Sequence, residues 1–169
     1  MAMKVFADNT VLGSGDINEY FVNTKFAVKP NATIITSNTT PANDPDLQIH
    51  VDTNKTYWLE LAAPFTSQSG TGFRFSFGAP AGTVLTGYFQ SSIGGTTSTS
   101  TYSAAGLLLT GNFSFGSTGG NADDLLIVRG SLATAGTPGM VIFQWCQQTS
   151  GGTNTIVRQG SAMLLRRTS

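Results

Sequence analysis

The stretch GFRFSFG, residues 72–78, constrains the fold more than any other: Phe73, Phe75 and Phe77 alternate strictly with Arg74 and Ser76. A side-chain period of two belongs to a β-strand, and three phenylalanines on one side demand an apolar layer beneath them. The period recurs. In LQIHV, Leu47, Ile49 and Val51 alternate with Gln48 and His50; in YWLELA, Tyr57, Leu59 and Leu61 share a face opposite Trp58 and Glu60. Further strands are predicted around residues 83–90, 107–115, 125–132, 141–147 and 155–167. Between them lie the breaks TTPANDPD, TSQSGTG, GAPAG, GSTGGNADD, ATAGTPG and TSGGTN, rich in residues that turn the chain. SSIGGTTSTSTYSAAG reads as a long surface connection with weak pairing at most. Eight or so short strands with no helix between them indicate an all-β protein, an antiparallel β-sandwich of jelly-roll type. Phe73, Phe75 and Phe77 should form one inward row with Leu59 and Leu61 near it. Residues 141–147 and 155–167 read as a β-hairpin joined by TSGGTN.

One segment, upstream of the strands, reads as a helix. In GDINEYFVN, Asp16 can cap a first turn, Glu19 follows three residues on, and Ile17, Tyr20 and Phe21 fall on one face. A helix of two turns is not stable alone and must dock. With Val5, Phe6, Val11 and Leu12 it gives the N-terminal region apolar groups that match none of the β periodicity. Residues 1–27 are therefore read as an anchoring arm with a short helix, and residues 28–169 as the jelly-roll domain.

Charged residues make up only 11% of the 169, against about 25% in an average soluble domain. The formal net charge is zero, and Arg166–Arg167 is the one basic pair in view. Binding to a phosphate backbone needs many cations, so nucleic acid is excluded as a general partner. No apolar run approaches the length that crosses a bilayer. The opening MAMKVFADNT has no long apolar core or cleavage site and is not read as a signal peptide. The sequons at Asn31, Asn38, Asn54 and Asn112 are then products of a Thr- and Asn-rich composition.

Four chemistries compete here with purely structural roles. Cys146, the sole cysteine, would need a base such as His50, the sole histidine; a lone strand cysteine is more often a small buried hydrophobe. Asn43, Asp44 and Asp46, or Asp123 and Asp124, offer oxygen ligands, yet lack the spacing of a calcium loop, and Asx-rich turns arise for backbone reasons. Glu60 has no identifiable partner for carboxylate-pair hydrolysis. No enzyme activity, cofactor or metal is expected. Trp58, opposite the core face of its strand, is the candidate contact for a host surface glycan, whereas Trp145 shares the inward face of Val141 and Phe143. On the other side of that strand, Ile142, Gln144, Cys146 and Gln148 make a mixed, uncharged face suited to a subunit interface.

VLGSGDINEYFVN, residues 11–23, resembles the N-terminal segment of phage minor tail, fibre and capsid-attached proteins. These open on Val-Leu-Thr-Ala-x-Asp-(Val/Leu/Ile)-Asn before a short helix. Val11, Leu12, Asp16, Ile17 and Asn18 match, while Gly13, Ser14 and Gly15 depart from the pattern. The C-terminal part is similar to small jelly-roll proteins of actinobacterial phages. Theirs is a Leu-Gln-Trp-Ala-Gln-like strand, a Thr/Asn loop, then Val-Arg-x-Gly-Ser and a Leu-rich strand. Residues 143–147, 149–155, 157–161 and 163–165 follow that order, with Cys146 where alanine is usual. The resemblance implies a virion-surface protein, made in the host cytoplasm, anchored by its arm to major capsid or tail proteins, and homotrimeric. Decoration of the capsid is favoured over a minor tail role because coiled-coil heptads and a long shaft are missing.

Overall fold

The computed structural model describes residues 23–68, 70–93, 96–102, 111–115 and 123–168. Among them run twelve strands: β1 (Thr24–Val28), β2 (Thr33–Ile35), β3 (Ala42–Val51), β4 (Thr56–Thr66), β5 (Phe73–Gly78), β6 (Val84–Ile93), β7 (Thr96–Tyr102), β8 (Phe113–Phe115), β9 (Asp124–Ala133), β10 (Gly139–Cys146), β11 (Thr155–Val157) and β12 (Ala162–Arg167). They form two antiparallel sheets. The larger has the order β1-β12-β4-β9-β6-β7, with β11 joining β2 to β4; the smaller has the order β3-β10-β5-β8. The all-β sandwich read from the sequence is the observed architecture.

The pairs β1–β12, β3–β10, β4–β9 and β5–β8 nest inside one another along the chain. A long antiparallel hairpin has been rolled up, so that successive strands fall in alternate sheets, which is the jelly-roll arrangement. Both sheets turn their apolar faces inward. Tyr57, Leu59 and Leu61 of β4 and Phe73, Phe75 and Phe77 of β5 are all buried, as their period requires. The Phe75 ring lies 5.2 Å from Phe89, 5.4 Å from Phe113 and 6.1 Å from Phe143. Phe73 stacks on Phe65 at 4.3 Å and on Trp145 at 5.9 Å. Each such buried ring contributes roughly 1.5–3 kcal/mol of transfer free energy. Where β6 meets β9, Gly87 faces Gly130. A Cβ on either glycine would run into the opposing backbone, at the Arg129 or Thr86 carbonyl.

Four local readings are corrected. Residues 141–147 and 155–167 are not a hairpin: β10 pairs with β3 and β5, while β11 and β12 lie in the other sheet. Alternation tells which side of a strand is inward, not which strand lies beside it. TSGGTN instead crosses from sheet to sheet, tied by the Gln147 amide to Thr153 O and Gly151 N. NDPD is not a break between strands but part of β3. SSIGGTTSTSTYSAAG supplies the end of β6 and all of β7, which pair from Phe89↔Tyr102 to Ile93↔Thr96. The sheet begins at Thr24, ahead of the boundary read at residue 28, because β1 pairs along its whole length with β12. The predicted helix, with Val5, Phe6, Val11, Leu12, Asp16, Ile17, Tyr20 and Phe21, lies outside the described residues.

Candidate functional site

β1 is built inside out. Phe26 and Val28 point away from the core, 74% and 52% exposed, while Lys29 at its end is fully buried. Lys25, Ala27 and Lys29 share the inward side, and both lysines reach across the open edge of the sandwich to β3.

The buried lysine enters a compact polar cluster. Lys29 Nζ donates to both oxygens of Asp44, at 3.0 and 2.9 Å, and to Asp46 Oδ2 at 2.9 Å. The side chains of Lys29 and Asp44 are both wholly buried, and that of Asp46 is 27% exposed. A bulge in β3 aims the carboxylate: β3 advances from Asn43 to Gln48 while β10 advances only from Gln144 to Ile142. Within it, Asp44 Oδ1 accepts the N–H of Asp46 and of Leu47, each at 3.0 Å. Asp44 Oδ2 accepts the Trp145 indole N–H at 3.0 Å. The Asx-turn signal in NDPD was thus real, but it bends a strand instead of ending one. The acidic residues weighed as cation ligands hold an ammonium group. Sequence reasoning missed Lys29, because its partner Asp44 lies fifteen residues on and the Trp145 that donates to Asp44 comes from another strand.

The second feature is the outer face of the larger sheet. Phe26, Leu164, Glu60 and Arg129 lie in one row across it, and Val28, Ala162, Ala62 and Ile127 in the next. Around them runs a shallow, mostly apolar groove of about 420 Å³. Among the described residues that line it, Arg129 Nε pairs with Glu60 Oε1 at 3.5 Å. Exposed apolar residues gathered on one sheet face mark an interaction surface.

The other residues singled out by sequence fall as follows. Cys146 is buried by its own chain, its thiol donating to Thr39 O at 3.2 Å; burial pushes the thiol up from its ordinary pKa, with Arg74 opposing. His50 faces Met140, six residues along β10 from Cys146, roughly 20 Å at strand rise, so the fold does not bring them together. Gln144 is engaged within the chain, accepting from Ser76 Oγ at 3.1 Å and donating to Asn43 Oδ1 at 2.7 Å. Ile142 and Gln148 are half-buried. Trp58 lies on the outer face of the larger sheet, half-buried, with its indole N–H on Glu60 Oε1 at 3.1 Å. Asp123 is taken by Arg158 Nε at 2.7 Å and the Thr66 hydroxyl at 2.6 Å. Among the described residues, no three His, Cys, Asp or Glu side chains gather as a metal set, and no helix is long and apolar enough to cross a membrane.

No protein family matches the chain, and no curated protein does. Among solved structures, a chain in the structure of infectious bursal disease virus, Gt strain, is similar at 14% identity over 99% of this chain, with a TM-score of 0.14. This chain spans 45% of that one. At that score the likeness carries no argument.

Proposed function

We propose that this protein is a non-enzymatic structural protein of a phage virion, a capsid decoration protein. In this reading it attaches through the arm ahead of β1 and displays an oligomeric jelly roll on the particle surface. The observation that carries the reading is the inverted face of β1. A strand with phenylalanine and valine outward and lysines inward is suited to being covered from outside, and it directly continues the arm. The occupant we assign to this face is a second copy of the chain. A surface with so few charges resists close approach of its own kind little, and the apolar row of Val28, Ala162 and Ala62 continues from β1 across β12 to β4. The self-association surface is accordingly assigned to the larger sheet, not to the strip of Ile142, Gln144, Cys146 and Gln148. Three-fold symmetry rests on the resemblance of the N- and C-terminal motifs.

The reading is tested on particles that lack the protein. Full-length chain should decorate them and run as an oligomer in light scattering; a chain starting at Asn23 should stay oligomeric and leave them bare. Full occupancy by the shortened chain would overturn the arm, and a wild-type monomer would overturn the assigned face. Cryo-electron microscopy density at the tail instead of the shell would favour a minor tail or fibre role. Trp58, outward on the same sheet, supports a second reading as a glycan contact; a glycan array on intact particles, with Trp58→Ala as control, decides it.

A further inference from the structure

The Lys29–Asp44–Asp46 cluster has more than an ion pair requires. A buried primary amine sits within hydrogen-bond distance of both oxygens of a buried carboxylate, and two backbone N–H groups and an indole N–H converge on that carboxylate. A second carboxylate touches the same amine. These are the parts an acyl-transfer site uses: an amine hydrogen-bonded to both oxygens of the carboxyl it would attack, donors where an oxyanion forms, and a base within reach. We propose that Lys29 and Asp44 condense spontaneously, within the folded chain, to an isopeptide bond, with Asp46 carrying the protons.

The step balances without any co-reactant. Asp46 Oδ2 takes a proton from the Lys29 ammonium and passes it to Asp44 Oδ2, and the freed Nζ lone pair attacks Cγ of the carboxylic acid so formed. The tetrahedral oxyanion develops on Oδ1, between the N–H groups of Asp46 and Leu47. Asp46 carries a second proton from the nitrogen to Oδ2, the Cγ–Oδ2 bond breaks, and Oδ2 departs with two of the three ammonium protons as water. The third stays on the amide nitrogen. Asp46 ends as it began, as a carboxylate, which its partial exposure tolerates. Burial of Lys29 and Asp44 withholds water from the reverse reaction.

The bond would join the end of β1, in one sheet, to the bulge of β3, in the other. It would close the open edge of the sandwich covalently, at the strand that takes any pull from the arm. The inference stands on this cluster alone and does not depend on the virion reading.

Intact-mass spectrometry of the full-length folded chain is the test. The wild type should be lighter than its sequence by one water, and proteolysis should yield a branched peptide joining Lys29 to Asp44. Lys29→Arg keeps a cation but supplies no amine nucleophile, and Asp46→Asn keeps the hydrogen bond but removes the base. Both should show the full sequence mass. A wild-type chain of full mass after prolonged storage overturns the bond, whatever the variants do. Water loss that persists in Lys29→Arg also overturns it, by placing the dehydration elsewhere. A folded Asp46→Asn chain, checked by circular dichroism, that still loses water would overturn the role of Asp46.

Discussion

Lys25 and Lys29 leave the same strand on the same side and reach the same partner strand, yet they meet opposite environments. Lys25 Nζ lies 3.1 Å from Asp52 Oδ2 and 3.0 Å from His50 O. Its side chain is 38% exposed and that of Asp52 is 50% exposed. Lys29 makes contacts of the same length with Asp44 at zero exposure. Water screens the first pair and pays part of its solvation; the second has surrendered all hydration and relies on Asp46, Trp145 and two backbone N–H groups. Distance alone therefore says little about what an ion pair is worth. Burial decides both the energy at stake and the chemistry open to the groups.

The largest effect should come from Lys29→Met. It leaves Asp44 buried without its cation, which costs about 3–5 kcal/mol in urea unfolding relative to a chain in which the Lys29–Asp44 pair is still ionic. A loss no greater than that of an exposed pair would erase the contrast. Trp145→Phe keeps the stacked ring but removes the indole donor to Asp44 Oδ2; an unsatisfied buried acceptor costs about 1–3 kcal/mol. A neutral result would mean that the other donors suffice.

Lys25→Met should cost only about 0–1 kcal/mol, and the difference should vanish in high salt, where exposed charges are screened. The same variant sharpens the contrast in acid. Burial raises the Asp52 carboxyl, but hydrogen bonds from Lys25 and Tyr57 outweigh it, and its pKa falls below the ordinary value of 3.8. A depressed folded-state pKa contributes stability that is present above the unfolded value and lost as pH falls through the folded one. Wild-type stability attributable to this pair should therefore decline below pH about 4, and Lys25→Met should flatten that decline. An unchanged acid limb in the variant would show that Lys25 does not hold the carboxyl down.

How far the chain could be read is visible in particular residues. Phe73, Phe75, Phe77, Leu59 and Leu61 announced their faces, because period two is a local property of each strand. NDPD announced an Asx turn, because Asp44 bonds N–H groups two and three residues on. Lys29 announced nothing: its burial depends on Asp44, fifteen residues away, and on Trp145 from another strand, which are neighbours only after the sheets close. The inversion of β1 was equally silent. TKFAV taken alone would turn Phe26 to the core, and pairing with β12 turns it out.

By itself, then, the sequence determined the all-β class, the inward faces of the long strands and the turns between most of them. These rest on backbone geometry and on side chains within a few residues of one another. The tertiary structure alone decided that β10 pairs with β3 and β5 instead of β12, that β1 shows its apolar side to the outside, and that a lysine lies dry against two aspartates. Each of these is a contact between segments far apart in the chain, set by which arrangement buries the most apolar surface while leaving the fewest polar groups unpaired.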